Sequence, residues 1–331
     1  MKFVFGFIVS IIAISCSLPN NTSPNQNEFR LILPSRFDNP VFPEDNKPTK
    51  EKIILGEQLF FDPNLSKNKN ISCASCHIPE FAFSDTTQFS TGTNGELGFR
   101  NSPSIVNVAY KKLFHKDGGV RTLELQAISP IIDTNEMSGD FFEILAYLSG
   151  NEKYISLFQD AFDTLPTIYG LTRSIASYER SLIYGNSAYD LYMDGDKEAL
   201  SKAQVSGMNL FNSKKLNCTA CHTGVLFTDY SYQNIGLEPQ FEDSGRARIT
   251  YKPLDAGKFE VPSLRNVAIT APYMHNGSIK TLADVIEYFE NGGGSHPNKS
   301  LEIKPFSLSS TEKDDLIAFL ESLTDERFRK E

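Results

Sequence analysis

The sequence contains no tryptophan, and histidine, cysteine and methionine occur only five times each in 331 residues. The absence of tryptophan excludes any mechanism that relays electrons through an indole ring. Basic residues are also in deficit, because 32 Lys and Arg stand against 41 Asp and Glu and give a formal net charge of −9. Nucleic-acid binding requires basic stripes, so we expect no nucleic acid as partner and favour small molecules or a basic protein.

A membrane-spanning apolar run is missing as well. The apolar stretch at residues 3–14 is shorter than the roughly 20 residues that a spanning helix needs, and it predicts an export signal over residues 1–16. The small residues before Cys16 resemble a bacterial lipoprotein cleavage site, which would make Cys16 the lipidated first residue. The alternative is an ordinary signal peptide with an incidental cysteine. Residues 17–28 are polar and rich in Pro and Asn, and we expect a disordered tether over residues 17–46.

Strand patterns of period two are scarce, whereas several segments carry apolar residues at helical spacing. In the last of these, Ser309 and Glu312 form a capping-box pattern that predicts a C-terminal helix. A polar connection, "YMDGDKEALS", lies in the middle of the chain. We therefore predict a mainly α protein with long loops and little β-structure, divided near Gly195 into domains at 47–195 and 196–331.

The chain also repeats itself. Residues 103–123 align with residues 262–282 without a gap, and eight of the 21 pairs are identical. A second match pairs Gly56 with Gly207 and Phe60 with Phe211. Internal similarity of this extent indicates two related modules rather than a solenoid.

Each module contains a CxxCH sequence. Cys73 and Cys76 are followed directly by His77, and the same spacing recurs at 218–222 as Cys218, Cys221 and His222. Two thiols at this spacing can form thioethers with haem vinyl groups while the histidine binds the iron. A zinc site made by both CxxC pairs, or a redox-active disulfide, does not require a histidine after each pair. The pattern therefore favours two c-type haems, and export agrees with it.

Beyond these two CxxCH sequences, which we call the first and second handle, the sequence from Leu55 to Leu323 resembles the bacterial di-haem cytochrome c peroxidases and their MauG-like relatives. The stretches that carry this resemblance are "LGEQLFFDPNLS", "SCASCH", "RNSPSIVNVAY", "LELQAISPIIDTNEM", "LFNSKKLNCTACH", "VPSLRNVAITAPYMHNGS" and "LIAFLESLTD". The resemblance implies two cytochrome-c-like haem domains. It also implies that the N-terminal haem reduces hydrogen peroxide to water, while the C-terminal haem receives electrons from a small cytochrome c or copper protein in the periplasm.

By the same resemblance, Glu136 of "DTNEM" is the acid/base of the first haem, and Gln126 of "LELQA" lines its pocket. Splitting peroxide requires removing one proton and delivering another, which one positioned carboxylate can do. A solvated loop acid is the alternative for Glu136. His275 of "PYMHNGS" is implied to contact the pocket or a propionate of the second haem, whereas His296 is expected to be a loop residue.

The family also has a calcium ion between its domains, and the matching positions here are Asn101, Thr270 and Pro272. Oxygen donors of this kind suit calcium. Family members often form homodimers, so a homodimer is a candidate state for this chain.

Three positions depart from the family pattern. Thr93 stands where some members carry a distal histidine, so we expect the first haem to be open or weakly ligated. Phe289 stands at the usual sixth ligand of the second haem, which leaves Tyr288, Met274 or an unfilled site as alternatives. Lys116 replaces the tryptophan between the haems, and an aromatic neighbour or direct transfer would have to replace the electron relay. Two further hypotheses stay open, namely a MauG-like oxidase of a protein partner and a di-haem electron carrier without catalysis.

Overall fold

The structure, a computed structural model, describes residues 30–238 and 242–329, and the predicted signal and Cys16 lie outside this part of the chain. The described residues are mostly helical, as expected, with one two-stranded antiparallel sheet formed by β1 (Tyr232–Gln233) and β2 (Phe259–Glu260). The α-helices, in chain order, are α1 Lys50–Phe60, α2 Leu123–Gln126, α3 Ile128–Ile132, α4 Phe141–Ser149, α5 Glu152–Phe162, α6 Ile168–Ser181, α7 Ala188–Met193, α8 Lys202–Phe211, α9 Ala247–Thr250, α10 Leu282–Glu290 and α11 Ser310–Glu321. No helix among these residues is long and apolar enough to span a membrane.

Each module is built on one crossing of two helices, α1 with α6 and α8 with α11. Glycine makes both crossings close: a Cβ atom on Gly56 would lie 1.9 Å from the carbonyl oxygen of Ser174, and one on Gly207 would lie 1.9 Å from that of Asp315. Side chains from the same helices form the two main hydrophobic cores, with Leu59 and Leu171 in the first module and Phe211 and Phe319 in the second. The sequence repeat therefore corresponds to two modules with the same helix crossing.

The aligned loops have the same backbone course. Asn107 and Asn266 both adopt a left-handed conformation with φ 62°. Each donates its backbone N–H to a carbonyl oxygen shortly after a crossing helix, that of Leu182 after α6 and that of Leu323 after α11. An isolated antiparallel bridge follows in each loop, Phe114 with Val120 and Tyr273 with Ile279. Because these pairs are related by the sequence offset of the repeat, equivalent residues of the two modules occupy equivalent positions.

Residues 30–46 differ from the disordered tether that we predicted over 17–46. Phe37 is buried in a small core with Ile183 and Leu226, which belong to different modules. Asn46 is 1% exposed and donates a hydrogen bond to Glu124. The prediction was wrong for residues 30–46 because the anchoring side chains are isolated within a polar, Pro-rich segment. Residues 17–29 lie outside the described part of the chain.

Helix α7, before the polar connection near Gly195, contacts the second module. Tyr189 packs against the second core, and Asp190 forms a buried two-bond ion pair with Arg265 at 2.8 Å. The segment before the predicted boundary thus links the two modules through buried contacts.

Candidate functional site

The two CxxCH sequences fold into the same short turn. Cys73–Ser75 and Cys218–Ala220 are single 3₁₀ turns, and the histidine that follows each turn donates its backbone N–H to the carbonyl of the first cysteine at 2.9 Å. The four cysteines are partly buried and form no disulfide bond with one another. In each handle, one turn therefore positions both cysteines and the histidine that follows them.

Each histidine side chain is oriented by a backbone carbonyl. The Nδ1 atom of His77 lies 3.0 Å from the carbonyl oxygen of Phe83, and Nδ1 of His222 lies 3.0 Å from that of Phe227. A hydrogen bond from Nδ1 leaves Nε2 as the lone-pair donor for a metal. Burial also lowers the pKa of both imidazoles, which favours the neutral form that binds iron.

This arrangement fits a c-type haem better than the alternatives. Among the described residues, no group of three or more His, Cys, Asp or Glu side chains comes together to hold a metal ion, so the two CxxC pairs do not meet as a zinc site would require. Burial raises the pKa of Cys76 and Cys218 to about 11, which keeps these thiols protonated until they are alkylated. The residues present therefore match two separate haem handles.

Three loops close around the first handle. Thr93, at the position of the missing distal histidine, is 4% exposed, and its hydroxyl donates to the side chain of Asn70 at 2.5 Å. The backbone N–H of Thr93 donates to the carbonyl of Glu136 at 2.7 Å. These bonds connect the segment before Cys73 with the loop that carries Glu136.

The negative charge of the Glu136 carboxyl group contributes to raising the pKa of Cys73 and Cys76. Although the residue keeps an exposed surface, the surrounding protein raises its pKa to about 7, and Asp133 adds like-charge repulsion. A carboxyl group with this pKa can both accept and donate a proton near neutral pH. The structure thus brings one predicted catalytic residue to the first handle.

Gln126, the other predicted catalytic residue, is the last residue of α2 and is half-buried. Thr122 caps this helix through its side chain, as Thr281 caps α10 in the second module. After the caps the modules diverge, because the first continues into α3 and the Glu136 loop, whereas the second continues along α10 to Glu290. Within the described residues, neither Gln126 nor Glu136 uses its side chain in a hydrogen bond, which leaves both amide and carboxyl free for a ligand.

The candidates for the sixth ligand of the second haem lie in different environments. The Tyr288 hydroxyl donates to the carbonyl of Ile235 and accepts from the N–H of Gly294, both at 2.8 Å, and burial raises its pKa. Met274 is half-buried in the turn after Tyr273, with φ 76°. The Tyr288 hydroxyl is therefore already hydrogen-bonded to nearby backbone, whereas the thioether of Met274 has no hydrogen bond within the described residues.

The junction of the two modules contains His275 and Lys116. The imidazole of His275 stacks on Phe259 with centroids 3.8 Å apart, and its Nε2 lies 3.1 Å from Glu238. The Lys116 amine approaches the carbonyl oxygen of Met274 at 3.4 Å. Burial, together with the nearby cations Lys111 and Arg100, lowers the pKa of Lys116 to about 7.

Asn101, one of the predicted calcium residues, also lies at this junction. Asn101 is 5% exposed, its backbone N–H donates to the carbonyl of His275 at 3.0 Å, and its side-chain amide donates to the carbonyl of Thr87. Among the described residues, no N–H donates to the carbonyls of Thr270 or Pro272 or to the side-chain oxygen of Asn101. These three oxygen atoms therefore accept no hydrogen bond from an N–H group of the described residues.

Sequence reasoning missed Glu179, on α6 beside the first handle. This side chain is 6% exposed, one of its oxygens has no hydrogen-bond partner, and burial raises its pKa to about 8. Glu179 also contributes to raising the pKa of Cys73. The signal was present in "SYERSL", where a glutamate directly follows Tyr178 on the apolar stripe of a helix.

Comparisons with known proteins agree with this arrangement. A family model described as di-haem cytochrome c peroxidase matches residues 50–198. The cytochrome-c peroxidase IdrP1 of Pseudomonas sp. (strain SCT) is 37% identical over 315 residues, covering 85% of this chain and 83% of that protein. The methylamine utilization protein MauG of Methylophilus methylotrophus is 34% identical and covers 96% and 93%.

Among solved structures, a MauG-like protein associated with microbial copper homeostasis superposes with a TM-score of 0.86 at 32% identity, covering 91% of this chain and 97% of that one. Sequence and structural similarity thus extend over both modules and both CxxCH handles. The chain belongs to the di-haem cytochrome c peroxidase and MauG family, whose members carry two c-type haems.

Proposed function

We propose that this protein is a di-haem peroxidase that reduces hydrogen peroxide at the haem of the first module. Cys73, Cys76 and His77 would hold this haem, and Cys218, Cys221 and His222 would hold the second, which receives electrons from a small cytochrome c or copper protein. The observation that carries the proposal is the position of the Glu136 loop, which Thr93 connects to the segment before Cys73 through hydrogen bonds to Glu136 and Asn70. The surrounding protein raises the pKa of the Glu136 carboxyl group to about 7.

The haem of the first module would supply the iron that binds peroxide and exchanges electrons with it. Glu136 would accept a proton from one peroxide oxygen and return it to the other as the O–O bond breaks. The amide of Gln126 would orient the peroxide by hydrogen bonding. Two electrons from two reduced donor molecules and two protons from solvent then convert one hydrogen peroxide into two waters.

Several features of the assembled protein belong to the same proposal. We place it in the periplasm, attached to a membrane through lipidated Cys16, and with a homodimer as its candidate assembly. We also propose one calcium ion held by Asn101, Thr270 and Pro272, supported by their unengaged oxygens and by the bond from Asn101 to His275. Tyr288, Met274 and an unfilled site stay the alternatives for the sixth ligand of the second haem, and the Tyr288 hydroxyl would have to leave its two present partners to bind iron.

Substitution of Glu136 by Gln tests the proposed reaction. Because a positioned acid/base contributes on the order of 10²–10⁴ to a rate, we expect E136Q to lower peroxide-dependent oxidation of reduced cytochrome c by at least about tenfold, with unchanged haem content. Glu143, exposed on α4, offers the matched control E143Q, which should keep wild-type turnover. Equal turnover in E136Q and wild type would remove Glu136 from the mechanism.

A second candidate function is a MauG-like oxidation of a protein partner. The buried Thr93, whose hydroxyl is bonded to Asn70, favours it, because no histidine closes the first haem before activation. The two functions differ in one mixing experiment with peroxide and reduced cytochrome c. Sustained oxidation of the cytochrome supports the peroxidase, whereas a long-lived oxidised haem spectrum without cytochrome turnover supports the oxidase. No peroxide-dependent change would support the electron carrier instead.

A further inference from the structure

Lys116 is a partly buried cation at the junction of the modules. Its amine has one polar neighbour within hydrogen-bond distance, the carbonyl oxygen of Met274 at 3.4 Å, and no described carboxylate lies within salt-bridge distance. Removing an ammonium group from water costs several kcal/mol unless an opposite charge compensates it. An anion near this amine would offset that cost.

The neighbouring cations all have their own acids. Lys111 pairs with Glu260 at 2.7 Å, and Arg100 pairs with both Asp117 and Asp243, at 2.8 and 2.6 Å. Glu260 also attracts Lys116, but its carboxylate is bonded to Lys111. Among the described residues, these three carboxylates are thus each bonded to another basic side chain.

The repeat gives an independent indication of what Lys116 faces. Lys116 aligns with His275 at the constant offset of the repeat, and the two loops have the same bridge and the same positive φ one residue earlier, at His115 and Met274. His275 has a carboxylate partner, Glu238, at 3.1 Å. The first module has a basic side chain at the same position but no protein carboxylate for it.

We propose that Lys116 pairs with a haem propionate carboxylate at the junction of the modules. This inference rests on the proposed binding of two haems, each of which brings two propionates. The lysine then acts on the potential of the haem as a fixed positive charge. A positive charge stabilises the reduced form relative to the oxidised form, so Lys116 raises the reduction potential of the haem that it contacts.

The test is a spectroelectrochemical titration of both haems in the purified holoprotein, after pyridine haemochrome analysis has shown two haems per chain. K116M should favour the oxidised form of at least one haem by about tenfold, equivalent to lowering its one-electron potential by about 59 mV. K116R, which keeps the charge, should stay near wild type. Lys112, exposed on the same loop, provides the control K112M, which should leave both potentials unchanged.

Three results would overturn the pairing. The first is K116M with two haems and wild-type potentials, and the second is K116R with the same loss of potential as K116M. The third is a conversion of low-spin to high-spin iron in K116M, which would make the amine an iron ligand. Infrared redox difference spectra give a second readout, because carboxylate bands from ¹³C-labelled propionates should shift in K116M and not in K112M. A wild-type chain without two haems would instead refute the proposed function.

Discussion

At the scale of single residues, the chemistry depends on groups whose protonation is shifted by their surroundings. Glu136 and Glu179 both belong to the first module, and burial raises the pKa of each carboxyl group, to about 7 and about 8. They differ in access, since Glu136 keeps an exposed surface and Glu179 does not. We therefore assign proton transfer to Glu136 and expect Glu179 to affect stability.

The pH dependence of turnover should report Glu136. As a base it must start ionised, so a pKa of about 7 predicts that kcat/KM for peroxide rises with pH up to about pH 7. In D133N the rise should move to lower pH, because Asp133 is the charge that adds to the effect of burial. Profiles recorded for wild type, D133N and E136Q check this, and a pH-dependent rise that persists in E136Q would assign the ionisation to another group.

Glu179 should make stability fall with rising pH. Burial raises its pKa in the folded protein to about 8, above the ordinary value of 4.5, so the folded state binds the proton more tightly than the unfolded state. The contribution of Glu179 to the free energy of unfolding is therefore at its maximum below about pH 4.5. It decreases by about 1.4 kcal/mol per pH unit as the pH rises from about 4.5 to 8. In E179Q this loss should disappear, so that thermal unfolding temperatures of the two proteins diverge toward pH 8. Parallel curves from pH 5 to 8 would contradict this assignment.

The sequence identified residues whose chemistry follows from their spacing, and it failed where spatial neighbours decide. CxxCH predicted both histidines and four cysteines because the motif is local. The carbonyls of Phe83 and Phe227 that orient the imidazoles follow from the same local turns. In contrast, the local sequence around Glu179 does not show that its second oxygen lacks a partner, and the local sequence around Lys116 does not show that Lys111 pairs with Glu260.

At the scale of elements, each module depends on how closely two helices cross. The repeat in the sequence already paired Gly56 with Gly207, but the partners Ser174 and Asp315 lie more than 100 residues away along the chain. Only the structure shows that both glycines face backbone carbonyls. The helices themselves were predictable from apolar spacing and caps, whereas the distance of approach at each crossing was not.

The close crossing of α8 and α11 predicts that glycine substitutions differ in their effect on stability. In G207A the new Cβ atom would meet the carbonyl of Asp315 at 1.9 Å, and overpacking of this kind costs about 1–3 kcal/mol or more. Gly98 is the matched control, since its nearest neighbour would be 3.7 Å from an added Cβ atom, and G98A should change stability by less than about 0.5 kcal/mol. Chemical denaturation of the three proteins measures the difference, and equal stability of G207A and G98A would show that α8 and α11 can separate freely.

At the scale of the whole molecule, the two modules share a fold but not a chemical environment. Residues 30–46 and helix α7 connect them through buried contacts, including Phe37 in the core with Ile183 and Leu226 and the ion pair of Asp190 with Arg265. After the equivalent caps at Thr122 and Thr281, only the first module forms the loop that carries Glu136. This difference is the basis for assigning peroxide chemistry to the first haem and electron entry to the second.

Variants that keep only one of the two handles test this assignment of the two haems most directly. One protein carries Cys73 and Cys76 replaced by Ala, and the other carries Cys218 and Cys221 replaced by Ala, each with one haem confirmed by haemochrome analysis and with wild-type helicity. After reduction with dithionite and removal of the excess, each is mixed with hydrogen peroxide in a stopped-flow spectrometer. We predict that the variant retaining the first handle is oxidised rapidly by peroxide and that the variant retaining only the second is not. Rapid oxidation of the second haem alone, with a slow first haem, would contradict the account.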